Sequence, residues 1–544
     1  LLPEPNSPFP PKDLQLVFND LARWSAWWGG SAEELSRVYG GDYGTNTADS
    51  FFRRQNGQAG LVGMFSRFFW GERTSPGEKR TKLHVPLASE IAQVSADLLF
   101  GQPPSITSPD DTVQARLDEL LADEAGSQLH EAAETCAALG QVYLRVGWDR
   151  DVDPDNPLIS SVDADAAFPR YAYGRLQDVV FVREWAENGI VLRHLEWHEP
   201  GYVWHAAYLG DERNLGRIVP LDAHPETADL SEISMIADDS RDGSGISTGI
   251  DRLDVVGIKN ARSRTWRHLP TARDLGRADI SGVEQDLDAL DDVWSSWLRD
   301  IRHGRSRLHV PAHMLDDHGR GKGATADLDR ELYVGLNAPP DGDLQLTATQ
   351  FAIRYEEHRE TARSLIERIV SGSGYSLQTF GMDLAATAQT ATESWARQIR
   401  TQHTRNGKLR HWNRALLDLT QIVLEIDVAQ FGSKVDPTAD IEVHFADTVS
   451  ESQLVRAQTA QALRAAEAAS TRTLVELVNN DKDGEWQDQE VQRIETGSDS
   501  GIAPEQPPAG QLTPAQLAQQ ATQGQPKPAD QSVVPAADQP APGQ

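Results

Sequence analysis

GRADISGVEQDLDALDDVWSSWLRDIRHGR, residues 276–305, places Leu and Trp on one side and mostly Asp and Glu on the other. Val283, Leu287, Leu290, Trp294, Trp297, Leu298 and Ile301 recur at helical spacing, which predicts an α-helix over 279–303 with one broad apolar stripe. Ser281 and Glu284 stand at capping-box spacing near its start. About 22 helical residues reach ~33 Å. Glu284, Asp288, Asp291, Asp292 and Asp300 take much of the remaining surface. Such a helix can lie on its own chain's core or between identical neighbours in a ring, and periodicity alone does not separate the two.

Toward the N-terminus, Leu14, Val17, Phe18, Leu21, Trp24 and Trp28 predict a helix over 12–28, and Ser31 with Glu34 caps a short second one. KLHVPLASEIAQVSADLLFGQPP carries a helix that begins near Pro86 and ends at Gly101. Residues 111–139 read as helical. QVYLRVGWD then changes to period two, and 158–218 continue as an antiparallel sheet with turns at Asn188-Gly189 and Pro200-Gly201. Residues 222–250, rich in Gly, Ser and Asp, read as a long loop.

Toward the C-terminus, LHVPAHML reads as a strand and HGRGKGATAD as a loop. A helix is expected over 351–370, then the glycine-punctuated SGSGYSLQTFGMDLAATAQ. The longest helix follows, from Thr390 to about 428, with a kink at Asn406-Gly407. IEVHFAD is a strand, and 450–479 an Ala-rich helical region. From 497 the Pro, Gln, Ala and Gly composition predicts disorder. The fold class is therefore α+β, mainly helical, with a disordered C-terminal tail.

A chain of 544 residues calls for about two to four domains. The single cysteine, Cys136, excludes an intramolecular disulfide framework, and its small-residue helical context predicts a buried thiol. No run approaches the ~18 apolar residues of a membrane span, and LLPEPNSPFPPK lacks the regions of a signal peptide, so neither membrane insertion nor secretion is expected. The net charge of −31 opposes tight, sequence-independent binding of nucleic acid, which needs cations against phosphates.

Catalytic motifs fail on inspection. His194-Leu195-Glu196-Trp197-His198 lacks the H-E-x-x-H order of a zinc protease and alternates as a strand, so it reads as ordinary sheet histidines. Asp149 to Asp155 suggests a calcium loop, but Pro154 and Ser160 stand where Gly and Glu are needed, and a solvated turn is expected. Gly319-Arg320-Gly321-Lys322-Gly323 has no hydroxyl after its Lys and is no P-loop. No catalytic residue, cofactor or metal is expected. A metal-dependent hydrolase using His194 and His198 stays as one alternative.

Several ordered blocks resemble the bacteriophage portal proteins, particularly the branch seen in phages of actinobacteria. The blocks are KLHVPLASEIAQVSADLLFGQPP, ALGQVYLRVGWD, LGRADISGVEQDLDALDDVWSSWLRDIRHGRSRLHVP, QTATESWARQIRTQHTRNGKLRHWNRALLDL and FADTVSESQLVRAQTAQALRAAEAAS with EVQRIE after it. The resemblance implies a protomer with wing (1–275), first stem helix (276–303), clip (304–348), second stem helix (349–371), tunnel loop (372–387), spine helix and remaining wing (388–450), crown (451–496) and tail (497–544). It implies a homo-dodecameric ring at one capsid vertex, through which double-stranded DNA is packaged and ejected. The implied partners are the terminase large subunit, a head–tail adaptor, and the major capsid and scaffolding proteins, with no membrane. The implied location is the virion, with assembly in the host cytoplasm. A capsid-associated adaptor or scaffold without a DNA channel is the other alternative.

Within that ring, Leu287, Leu290, Trp294, Trp297 and Leu298 would pack the stem, and Glu284, Asp288, Asp291 and Asp292 would face water or the tunnel. Tyr375, Gln378, Thr379 and Phe380 are the DNA-facing candidates of the tunnel loop. Arg305, Arg307, Arg320 and Lys322 around the clip are candidates for docking acidic partner surfaces.

Overall fold

Gly140 marks the change from helix to sheet. Its φ of +84° is open to glycine, and a Cβ there would meet the Arg277 carbonyl carbon at 2.5 Å. The preceding helix ends and the next strand starts at once. The computed structural model describes residues 2–40, 82–121, 124–187, 189–231, 236–237, 244–304, 307–311, 316–317, 324–325, 333–336, 347–349, 353–382, 391–445, 460–461, 463–464, 466, 468–479 and 484–499. Leu1–Thr448 form one compact unit and Val449–Gln544 a second.

The first unit opens with helices α1 (Gln15–Gly29), α2 (Ala32–Gly40) and α3 (Leu87–Phe100). Ser31 Oγ accepts from Glu34 N–H at α2, as its spacing predicts. Strand β1 (Ser105–Thr107) leads to α4 (Asp111–Leu120) and α5 (Glu124–Leu139), so the helical stretch 111–139 is two helices; Asp110 caps the first through Thr112 and Val113 N–H.

Strands β2 (Gln141–Gly147), β3 (Leu158–Asp163), β4 (Ala167–Ala172), β5 (Arg175–Glu187), β6 (Ile190–Glu199), β7 (Tyr202–Asp211) and β8 (Asn214–Val219) follow. After them come α6 (Pro225–Ser231), β9 (Ile236–Ala237), β10 (Ser244–Ser247) and β11 (Val255–Lys259). They form two sheets rather than one. Strand β2 runs between β11 and β3, while β4-β5-β6-β7-β10-β9, with β8 also on β7, make a seven-stranded sheet.

Residues 222–250 therefore contain a helix and two strands where the composition reads as loop. Gly245 explains the misreading: it lies over the Trp204 ring, where a Cβ would come within 2.7 Å, so the sheet requires the residue that looks like a loop former. One face of the large sheet buries Val180, Val182, Leu195, Trp197, Trp204, Ala206 and Tyr208. The other turns toward the small sheet, with Val179 and Phe181 against Tyr143 and Val255.

Helix α7 (Glu284–His303) is the quoted stretch. It begins eight residues later than the boundary 276, because Ala278, Asp279 and Ile280 are buried as irregular chain and Gly282 takes φ +99°. Ser281 forms no capping box; the Glu284 carboxylate accepts from Gly282 N–H at 2.7 Å instead. Short strands β12 (Arg307–Pro311), β13 (Asp316–Asp317), β14 (Ala324–Thr325), β15 (Tyr333–Leu336) and β16 (Thr347–Thr349) precede α8 (Tyr355–Ser373); β12 pairs with both β15 and β16.

Helix α9 (Ala391–Ile426) runs unbroken through Gly407, against the expected kink, and passes into a π-helical turn at Asp427–Phe431. Its Trp412, Ala415, Leu416, Leu419, Ile422, Val423 and Ile426 make a strict three-and-four stripe that buries against α3, α5, β2 and β11. Cys136 lies in this core, donates to Ile258 O and has its thiol pushed up to about 12 by burial. Strand β17 (Glu442–His444) pairs with β1.

The Asp149 and Asp153 carboxylates accept backbone N–H groups of their own turn, which is the expected solvated loop. The second unit holds α10 (Thr471–Val478), capped by Ser470, and α11 (Gly484–Asp499). Residues 497–499 are thus helical rather than tail, and the expected disorder from 500 on lies outside the described residues.

Candidate functional site

Helices α7 and α8 pair antiparallel. Arg368 meets Asp286 at one end (3.0 Å), while Arg354 and His358 meet Asp300 at the other (2.8 and 3.0 Å). His358 first, then Arg354, hold the Asp300 carboxyl below its usual range. Trp297 stacks on His358 with ring centroids 6.1 Å apart and lies 5.2 Å from Trp294. The chain leaves α7 at Gly304 and returns beside it, since a Cβ on Gly304 would meet Ile353 Cγ1 at 2.8 Å. Residues 305–352 are therefore an excursion that begins and ends at one point.

The stem-packing candidates divide. Leu287 and Leu290 are buried in the core that also holds Val17, Leu21, Trp24, Ile91 and Ile369, while Trp294 packs at its margin. Trp297 and Leu298 are half-buried. The acidic face requires correction. Asp291 is fully buried, with Oδ1 accepting Val85 N–H and Oδ2 meeting His84 Nδ1, both at 2.8 Å. Asp288 is buried as well. Residues 83–85 cross this side of α7 as extended chain, and their N–H groups need acceptors: Asp291 serves Val85 and Ser295 Oγ serves Leu83. Glu284 is half-buried and accepts from Trp24 Nε1 at 3.0 Å. Of the four carboxylates, Asp292 alone is exposed.

The turn after α8 also differs from expectation. Gly374, at φ +96°, reverses the chain, and Thr404 Oγ1 donates to its carbonyl at 2.6 Å. Tyr375 consequently enters the core and does not face outward; its hydroxyl donates to Asp279 Oδ2 at 2.7 Å. Lys408 Nζ reaches Asp279 Oδ2 (2.6 Å), Ser95 Oγ (2.6 Å) and the Tyr375 hydroxyl (2.9 Å), and Asn260 Nδ2 takes the other Asp279 oxygen (2.8 Å). This buried hub joins α3, the lead into α7, the turn after α8, and α9.

Leu377–Phe380 form a 3-10 turn in which Thr379 Oγ1 lies 2.9 Å from Thr401 Oγ1, Gln378 is half-buried, and Phe380 packs edge-on to Tyr375. The rest of the expected tunnel loop, 383–387, lies outside the described residues. So do Arg305, Arg320 and Lys322; Arg307 is the first residue of β12.

A second polar cluster lies between the two sheets and centres on Glu196. Its Oε1 accepts from Arg145 Nη1 (2.6 Å) and His198 Nε2 (2.9 Å), and His198 Nδ1 faces Asp254 at 2.9 Å. Burial disfavours charge on His198, but Asp254 and Glu196 outweigh it and raise its pKa to about 9. Burial lowers His205 to about 4 and lowers His194 as well. Glu196 is driven well below its usual value despite burial, by the His198 hydrogen bond and by the charges of His198 and Arg145. Alternation puts His194, Glu196 and His198 on one face of β6, a signal legible in the sequence. The register then brings in His205, directly opposite Glu196 on β7, which the sequence reading missed.

The family described as phage portal protein, SPP1 Gp6-like, matches residues 31–191 and 229–501. The chain belongs to this family. As a phage portal protein it is a structural part of the head–tail connector and of the virion, not an enzyme. That sets aside the hydrolase reading of His194 and His198, and with it the reading as an adaptor or scaffold. No curated protein matches the chain. Among solved structures, the portal protein is similar to a chain of the "Neck of native GTA particle computed with C12 symmetry", at 13% identity and a TM-score of 0.35, covering 73% of this chain and 90% of that one. No described helix is long and apolar enough to cross a membrane.

Proposed function

We propose that this portal protein closes into a dodecameric ring at one capsid vertex, of the kind found in phages of actinobacteria, and forms the channel for packaging and ejection of double-stranded DNA. The wing would be 1–275 with part of 388–450, the stem α7 and α8, the clip 304–348, and the crown 451–496. The clip would dock the terminase large subunit and later the head–tail adaptor, with Arg305, Arg307, Arg320 and Lys322 as cations for acidic surfaces. The major capsid and scaffolding proteins would surround the ring during assembly in the host cytoplasm. Family membership over two long blocks of chain carries this reading. The paired helices support it, since a 48-residue excursion returns to its point of departure, as a clip carried on two stem helices must.

Negative-stain electron microscopy of the purified protein tests it. Twelve-fold class averages with an open centre are expected, and isolated protomers or a closed disc would overturn it.

A conduit must admit DNA without gripping it, and carboxylates at its wall keep phosphates mobile behind water and counterions. Reversing Asp288 or Asp291 would test folding, because both are buried. The informative reversal is Asp292→Lys, at an exposed position repeated around the ring. Packaging is expected to slow several-fold in 0.1 M salt and to recover as salt shortens the screening length from ~10 Å toward ~3 Å at 1 M. An unchanged packaging rate at low salt would remove the lubricating role of this side chain.

A further inference from the structure

We propose that the face of the large sheet turned toward the small sheet binds one divalent transition cation of the zinc class through His194, Glu196 and His205. Each of these residues offers a ligand atom, and the three atoms lie within 4.8 Å of one another. His194 Nε2 and His205 Nδ1 are 3.1 Å apart on rings only 6° from parallel. Two nitrogens at ~2.0–2.1 Å from a tetrahedral zinc stand ~3.3–3.4 Å apart, so a cation takes the place of the hydrogen bond these two nitrogens share once they part by a few tenths of an ångström and their lone pairs turn toward it.

Strand pairing sets the placement of the three side chains. Glu196 is directly opposite His205 in the β6–β7 register, and His194 is two residues along the same face of β6. Donor type selects the metal: two imidazole nitrogens and one carboxylate suit zinc, cobalt or nickel, whereas calcium and magnesium prefer oxygen.

The surroundings have the form of a metal site's outer shell. Arg145 and His198 both bond Glu196 through Oε1, which orients the carboxylate and leaves Oε2 for the cation. Asp254 in turn holds His198, so the chain of support runs from the edge of β11 to the centre of the large sheet. A cavity of about 220 Å³ opens beside the cluster, lined by His194, Glu196, Arg145 and Asp163 among others. At ~30 Å³ per water it has room for the solvent ligands that complete a three-residue site. The cation would staple β6 to β7 and carry out no substrate chemistry, which takes this inference beyond the portal role and makes it independent of ring formation.

The test uses the full chain, stripped with a chelator and dialysed against ZnCl2 or CoCl2. One zinc per chain is expected, with an intense visible d–d band when Co(II) replaces it and an upward shift of the melting temperature by several degrees. His205→Gln and His194→Gln should each weaken zinc binding at least ~100-fold, more than the loss of an outer-shell partner. Wild-type protein that binds no zinc, or that gives only the faint octahedral cobalt spectrum, overturns the proposal even if a variant does not fold. Equal zinc binding by wild type and folded His205→Gln overturns it as well, by showing that the metal sits elsewhere.

Discussion

Lys408→Met is expected to destabilise the first unit by ~3–5 kcal/mol, the cost of removing one partner from a buried ion pair. Met keeps the length and apolar stem of Lys but donates nothing. Asp279 would retain Asn260 Nδ2 and the Tyr375 hydroxyl, two neutral donors, and lose the one charge among its bonded partners in the described residues. Ser95 Oγ would lose its bond to the ammonium at the same time. The effect reaches past stability, because the hub fixes Tyr375 and so the turn that leaves α8. Thermal unfolding of the variant checks the magnitude. Adding Asp279→Asn supplies the decisive comparison: with the uncompensated carboxylate gone, part of the loss should return, giving a coupling energy well above that of independent sites. A single variant that melts within a degree of wild type would mean that the ion pair does not hold these elements together.

Nothing local in the sequence announces this hub. Asp279 and Lys408 are separated by 129 positions, and each alone looks like an ordinary surface charge. The elements that periodicity did reveal bury a continuous stripe within one segment. Helix α3 and the Trp412-to-Ile426 face of α9 are of this kind, as are β5, β6 and β7 with their alternating faces. The start of α7 is not legible in the sequence, because Ser281 and Glu284 satisfy a spacing rule that Gly282 breaks in three dimensions.

The burial of the acidic face of α7 is hidden from the sequence for a related reason. A helical wheel shows which side is polar but not whether another segment covers it, and the bonds to Leu83 and Val85 span 212 and 206 positions of sequence. Likewise Tyr375 reads as an exposed aromatic in a glycine-rich loop until the reversal at Gly374 turns it inward. Apolar periodicity therefore located the helices, whereas the roles of polar residues depended on partners brought from elsewhere in the chain.

The far end of the α7–α8 pair should decide whether rings form. Ile301, Ile353 and Tyr355 remain 42%, 41% and 47% exposed, beside the half-buried Trp297. Arg359 covers part of Tyr355, lying over its ring at 5.2 Å and donating to its hydroxyl at 2.7 Å, while the exposed parts of Ile301 and Ile353 remain open to solvent. In the proposed ring the neighbouring stem would cover them. Replacing Ile301 and Tyr355 together by Asp should cost the protomer ~1 kcal/mol, since Tyr355 gives up its hydrogen bond and ring contact to Arg359. At an interface only the exposed half of each side chain remains to be buried, so the same change forfeits about half of ~1.5–3 kcal/mol apiece, or ~1.5–3 kcal/mol for the two. That weakens each contact ~10–10²-fold, before the cost of desolvating two new carboxylates. A closed ring needs every contact at once, so the expected outcome is monomer in size-exclusion chromatography with light scattering, at concentrations where wild type is a ring. Unchanged circular dichroism of the monomer would place the loss at the interface. Rings of wild-type size from the double variant would show that the helix pair closes on its neighbours through some other face.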